Sequence, residues 1–215
     1  MAKVLTEAIG TFFLVLTIGL TVITQTPFAP LAIGCSLMIM VYMGGHISGG
    51  HYNPAVTLAV MMRGGMQSRD VLPYWIAQII GALLAALAVR VILGSTFAPA
   101  PSEGASVIAV LMVEILFTFA LALVVLNVAT APATAGNSYY GLAIGFTIVV
   151  AAFAGGSISG GAFNPAVGIG PVLVNALAGG GTLANLWYYI VGPLAGGALA
   201  AVVFKLQGAA LPKAA

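Results

Sequence analysis

Charge is what this sequence has least of: only 5% of its 215 residues are Asp, Glu, Lys or Arg, against roughly 25% in an ordinary soluble domain. Apolar residues reach 61%, with a mean hydropathy of +1.16. A water-soluble fold of this length lacks the polar side chains to coat so much apolar surface, so lipid is the natural solvent for most of it. The formal net charge is +2, and Lys and Arg occur singly. That excludes the basic runs that track nucleic acid. The single cysteine, Cys35, excludes an intrachain disulfide and a cysteine-based metal cluster, and its apolar setting reads as packing filler. No Ser/His/Asp set and no phosphate-binding glycine loop is apparent, which argues against an enzyme; no cofactor is expected. A cleavable signal is also missing. Lys3 precedes an apolar stretch reaching about Val22 with no small-residue cleavage site after it, so the first segment is expected to stay as a membrane helix.

Long apolar segments are what the sequence has instead. A spanning helix needs about 20 largely apolar residues. Six segments meet that need, near residues 4–24, 29–45, 72–94, 105–128, 139–156 and 183–206. Two more, 54–62 and 165–178, are too short to cross, and each follows a glycine-rich stretch, 48–52 or 159–163. Short apolar helices of this kind read as re-entrant half-helices. The expected fold is an all-α integral membrane protein of six transmembrane helices and two half-helices. With six spans, Lys3, Arg63, Arg69, Lys205 and Lys213 fall on one side and Arg90 on the other. The positive-inside tendency then places both termini in the cytoplasm. With no targeting extension visible, the plasma or inner membrane is the expected location.

The strongest signal is a repeat. Residues 47–56 read ISGGHYNPAV and residues 158–167 read ISGGAFNPAV, identical at eight of ten positions and offset by 111. Glu7-Ala-Ile-Gly-Thr-Phe in the first span parallels Glu114-Ile-Leu-Phe-Thr-Phe in the fourth. Gln78-Ile-Ile-Gly81 in the third parallels Pro193-Leu-Ala-Gly196 in the sixth. The chain is thus read as two halves, 1–100 and 101–215. Three spans per half is an odd number, so the halves enter the membrane from opposite faces and relate by an axis in its plane. Their half-helices should meet near the midplane.

Each half-helix has a readable start. Asn53 and Asn164 suit the N-cap, Pro54 and Pro165 suit the first helical position, and Ala55 and Ala166 follow. If the asparagine oxygen caps its own helix, the amide is left for the lumen, where two donors would hold a passing water by its oxygen and interrupt a proton-hopping chain. Both half-helix N-termini carry about half a positive charge, which disfavours cations. The leads, His46, Ile47, Ser48, Gly49 and Gly50 in one half and Ser157, Ile158, Ser159, Gly160 and Gly161 in the other, are expected to be non-helical and to line the pore with carbonyls.

Two Asn-Pro-Ala triplets on half-helices, with a glutamate early in spans one and four, resemble the aquaporin, or major intrinsic protein, family over residues 6–204. The resemblance implies a passive channel for water and other small neutral solutes, assembled as a homotetramer with one pore per subunit. In most members an arginine follows the second triplet as gatekeeper; here that residue is Val167, followed by Gly168. Matching the family's other constriction positions by spacing implies Ile33, Ala152 and Gly161. Such a filter is small or apolar. It should admit larger or less polar neutral solutes, with ammonia, hydrogen peroxide, urea, glycerol and carbon dioxide as candidates, or else dewet and slow water. The aspartate that marks the family's glycerol branch is absent, which disfavours strict glycerol facilitation.

The remaining polar residues divide between structure and chemistry. Glu7 and Glu114 are intramembrane carboxylates, costly unless paired. Their repeat-related positions favour bracing of the two loops over a proton relay. His46 is expected to support its loop by hydrogen bonds. His51 matches Ala162, and the two histidines without an acidic or cysteine partner make a poor metal site. Gln78 and tyrosines 74, 188 and 189 are expected to bond between helices or sit near interfaces, and the run 192–201 to pack closely. Two rival readings use the same residues: a proton-coupled carrier titrating Glu7 and Glu114, and a junctional membrane protein with a nearly closed pore.

Overall fold

The structure, a computed structural model, describes residues 1–208. Of the charges weighed for orientation, Lys213 lies outside the described residues. Eight α-helices follow one another: α1 (Ala2–Ile23), α2 (Ala29–Ser48), α3 (Pro54–Arg63), α4 (Ser68–Leu93), α5 (Val107–Val125), α6 (Tyr140–Ser159), α7 (Pro165–Leu177) and α8 (Tyr188–Leu206). Six of them, α1, α2, α4, α5 with its continuation to Thr130, α6 and α8, are long and apolar enough to cross a membrane. At 1.5 Å per residue, 20 residues match a hydrocarbon core of about 30 Å. With 10 and 13 residues, α3 and α7 fall short. The face at which α1 begins is called the N-terminal face below, and the opposite one the far face.

The layering is inside out relative to a soluble protein. Large apolar side chains such as Leu5, Phe13, Ile39, Ile80, Leu116 and Phe153 point outward, while Glu7, Thr11, Asn53, Gln78, Glu114 and Asn164 are buried. The halves match in packing: α1 lies on α2 and α4, as α5 lies on α6 and α8. They also interlock, since α3 packs on α8, α7 on α4, and α2 on α6. Small residues permit these crossings. A Cβ at Gly81 would collide with the Ala8 carbonyl oxygen, and one at the repeat-related Gly196 with the Ile115 carbonyl oxygen. Backbones approaching this closely gain dispersion where lipid removes the hydrophobic drive. Gly196→Leu should therefore cost about 1–3 kcal/mol or more through overpacking, and a lowered thermal midpoint in detergent checks it.

Three boundaries correct the sequence reading. α2 and α6 continue to Ser48 and Ser159, so His46, Ile47, Ser48, Ser157, Ile158 and Ser159 are helical rather than irregular. The helices stop only where Gly49 (φ 92°) and Gly160 (φ 91°) take the left-handed cap conformation that glycine adopts freely. The irregular leads shorten to 49–53 and 160–164. The last span also begins later than expected, because residues 183–187 form hydrogen-bonded turns before α8.

Candidate functional site

The two loops are built alike, from their carboxylates upward. Glu7 Oε1 accepts from the Ser48 hydroxyl (2.7 Å) and the His51 N–H (3.0 Å), and Oε2 from the Tyr52 N–H (2.7 Å). Glu114 Oε1 accepts from the Ser159 hydroxyl (2.7 Å) and the Ala162 N–H (3.1 Å), and Oε2 from the Phe163 N–H (2.7 Å). In each loop the serine oxygen also accepts from the N–H two residues on, at Gly50 (3.1 Å) or Gly161 (3.0 Å). Tyr74 and Tyr189 donate to the Ser48 and Ser159 carbonyls at 2.8 and 2.6 Å. Every N–H from Gly50 to Tyr52, and from Gly161 to Phe163, is thereby satisfied inside the protein, as buried backbone requires.

One residue in each loop is held against its preference. Tyr52 and Phe163 both have φ of 49°, left-handed values at non-glycine positions. Such a conformation costs about 1–3 kcal/mol and persists where the surroundings over-determine it. Here the carboxylate bond to each N–H does so. Tyr52 is further fixed by its hydroxyl, which donates to the Met40 carbonyl at 2.8 Å. The sequence carries no sign of this strain, since neither aromatic residue is a turn former.

The asparagines follow directly. Asn53 Oδ1 accepts from the Ala55 N–H at 2.8 Å, and Asn164 Oδ1 from the Ala166 N–H at 2.9 Å. Pro54 and Pro165 occupy the first helical positions. The amide nitrogens do not lie wholly free. Asn53 Nδ2 donates to the Phe163 carbonyl and Asn164 Nδ2 to the Tyr52 carbonyl, both at 2.9 Å. An amide NH₂ has two hydrogens, so each asparagine spends one on stitching the halves together and keeps one. Both side chains line a single cavity.

That cavity has a volume of about 360 Å³. Ile33, Ala152, Gly161 and Val167 all line it, as do Gly50 and Gly160. Among the described residues around it, only His51, Tyr52, Asn53 and Asn164 bring polar side chains, and the Tyr52 hydroxyl is spent on Met40. A second cavity of about 690 Å³ opens on the N-terminal face, with Lys3, Ser48, Gly49, Arg63, Asp70 and Thr130 in its wall. Arg63 is anchored there by Nε donating to Thr130 Oγ1 (2.9 Å), by Nη2 donating to the Thr130 carbonyl, and by the Phe204 ring 5.6 Å away.

Several expected lining residues lie elsewhere. His46, Ile47, Ser157 and Ile158 are exposed at the ends of α2 and α6 and border neither cavity. They sit in the last turn of their helices, where carbonyls accept no further intrahelical bond; the Ile158 carbonyl accepts instead from the Ser102 N–H at 3.1 Å. Ser159 is turned to Glu114 instead of either cavity. His46 makes no side-chain hydrogen bond among the described residues; His51 does, to Thr57 Oγ1 at 3.1 Å. Sequence reasoning missed the 97–100 segment, which folds over the far-face mouth, and the cavity-facing Ile144, Ile148, Leu121 and Val125. Nothing in an apolar helix distinguishes such a face from one turned to lipid.

Comparison with known proteins agrees with this construction. The chain matches the major intrinsic protein family over residues 1–204. It is 37% identical over 214 residues to aquaporin NIP1-1 of Zea mays, covering 95% of this chain and 74% of that protein. It is also 37% identical over 221 residues to glycerol uptake facilitator protein-like 6 of Lactiplantibacillus plantarum, covering 97% and 99%. Its fold superimposes on the aquaglyceroporin from Plasmodium falciparum with a TM-score of 0.85, at 21% identity and 94% coverage of both chains. The repeated ISGG-x-x-NPAV segment, six helices long and apolar enough to cross a membrane, and these matches together lead to one conclusion: this chain belongs to the major intrinsic protein family of multi-pass membrane channels.

Proposed function

We propose that the chain is a passive channel for water and other small neutral solutes, with the two asparagines as its central hydrogen-bonding pair. The observation that carries this reading is their placement: Asn53 and Asn164, from opposite halves, line one largely apolar cavity, whose other polar side chains are His51 and Tyr52. The remaining amide hydrogen of each orients a permeating oxygen, and the converging N-termini of α3 and α7, each worth about half a positive charge, repel cations. Glu7 and Glu114 serve as braces. Their oxygens are occupied by loop hydrogen bonds, an arrangement suited to fixing backbone rather than to exchanging protons.

Ile33, Ala152, Gly161 and Val167 form the outer filter in this reading. It has neither charge nor side-chain donor, so solutes beyond water pass, with glycerol, urea, ammonia, hydrogen peroxide and carbon dioxide in range. The name of the Lactiplantibacillus relative, glycerol uptake facilitator protein-like 6, favours keeping glycerol among them. The N-terminal face is the cytoplasmic side of a plasma or inner membrane, following the lysines and arginines, and the assembly is a homotetramer.

Solute uptake into proteoliposomes tests the mechanism. Glycerol and urea influx should rise linearly with concentration and ignore an imposed proton gradient. Saturating influx driven by that gradient would instead select a carrier that titrates Glu7 or Glu114.

A further inference from the structure

The two cavities meet at His51 and Val125, the two residues that line both. All four outer-filter positions lie in the wall of the first cavity and none in that of the second. The division of the pore therefore falls on the N-terminal-face side of the asparagine pair. His51 belongs to the loop before α3, Val125 ends α5, and both are buried, at 7% and 5% exposure.

The His51 ring is oriented by a network that the second half lacks. Gln78 Nε2 donates to Glu7 Oε2 (2.7 Å) and to Thr57 Oγ1 (3.0 Å), which fixes the way its amide faces. Thr57 Oγ1 has one hydrogen and lies 3.1 Å from both the Asn53 carbonyl oxygen and His51 Nδ1. A carbonyl only accepts, whereas an imidazole nitrogen can do either. All three contacts are satisfied together when Thr57 donates to Asn53 and His51 Nδ1 donates to Thr57. The other ring nitrogen, Nε2, then carries a lone pair, and it has no hydrogen-bond partner among the described residues. At the positions related by the 111-residue repeat, Ala162 and Gly168 stand where the first half has His51 and Thr57. The polar device is one-sided.

We propose that His51 and Val125 form the specificity-determining constriction of this channel, with His51 Nε2 accepting a hydrogen bond from the passing solute. Resting on the channel reading above, this narrows the substrate class to small neutral molecules that carry an O–H or N–H donor. A broad apolar filter outside and a narrow acceptor inside divide the labour: the first admits, the second selects.

Urea and water permeabilities of reconstituted protein, read by stopped-flow light scattering, test it. Val125→Ala removes bulk without touching a hydrogen bond and should raise the urea-to-water ratio about fivefold or more. His51→Ala should do the same, and Ile33→Ala should change the ratio less than Val125→Ala does. His51→Leu, similar in bulk but without an acceptor, should lower water permeability about threefold, the worth of one modest hydrogen bond. A ratio unmoved by Val125→Ala overturns the constriction, even if His51 variants fail to fold. Unchanged water flux in well-folded His51→Leu overturns the acceptor role. Unmodified protein that passes neither water nor urea would instead defeat the channel reading itself, along with everything resting on it.

Discussion

Glu114→Ala is expected to abolish conduction and to destabilise the folded channel severely. The substitution strands three buried donors, the Ser159 hydroxyl and the Ala162 and Phe163 N–H groups, which now share that carboxylate. Each unsatisfied buried donor costs about 1–3 kcal/mol, so the sum rivals the whole stability of a typical domain, roughly 5–15 kcal/mol. The strain at Phe163, held at φ 49°, also loses its restraint. Relaxation there moves the carbonyl that accepts from Asn53 Nδ2, so damage to one loop reaches the other half. Glu114→Gln is the sharper variant. Its amide keeps one oxygen but turns an NH₂ toward donors, leaving at least one N–H facing another. Detergent-solubilised yield, thermal midpoint and water flux should fall in the order native, Gln, Ala. A Gln variant with native midpoint and flux would show that the carboxylate is dispensable to the loop.

Val167→Arg is expected to narrow the solute range, cutting glycerol and urea permeability about tenfold or more while sparing water. Val167 is buried in the wall of a cavity shared with Ile33, Ala152 and Gly161, none of which brings a polar side chain. An arginine placed there adds length, charge and five donors to a mouth that has none. Its guanidinium can find carbonyl acceptors along the Gly160–Phe163 loop and the 97–100 segment, which line the same cavity and draw it across the lumen rather than into lipid. Water fits beside it; a three-carbon polyol does not. Paired glycerol and water measurements on the same vesicles decide this. Equal loss of both would mean that the arginine plugs the pore, and no loss would mean that residue 167 does not control passage.

How much of this was legible beforehand depended on which solvent a residue faces. Lipid enforces helices of about 20 apolar residues, so six spans and two half-helices could be read directly, and the ISGG-x-x-NPAV repeat related the halves. The asparagine caps were legible because Asn-Pro opens helices for local reasons that need no tertiary context. The helix ends at Ser48 and Ser159 were not. A Ser-Gly-Gly run reads equally as loop or cap, and only the left-handed φ of Gly49 and Gly160 decides it. The cross-loop bonds of Asn53 and Asn164 were hidden for another reason: they join residues 110 and 112 apart, which only the assembled fold brings together. The cavity wall was the least legible part. In α6, Ile144 and Ile148 face the cavity while Leu142, Phe146 and Val150 are exposed, and both sets are equally apolar.

The central claim, an open path for neutral molecules past Asn53 and Asn164, is tested most directly by osmotic shrinkage of proteoliposomes containing the unmodified protein. The expected result is water efflux well above protein-free vesicles, with a low activation barrier and no accompanying proton leak. Shrinkage no faster than that of empty vesicles, for water and for every neutral solute tried as osmolyte, would contradict it and leave the junctional reading standing.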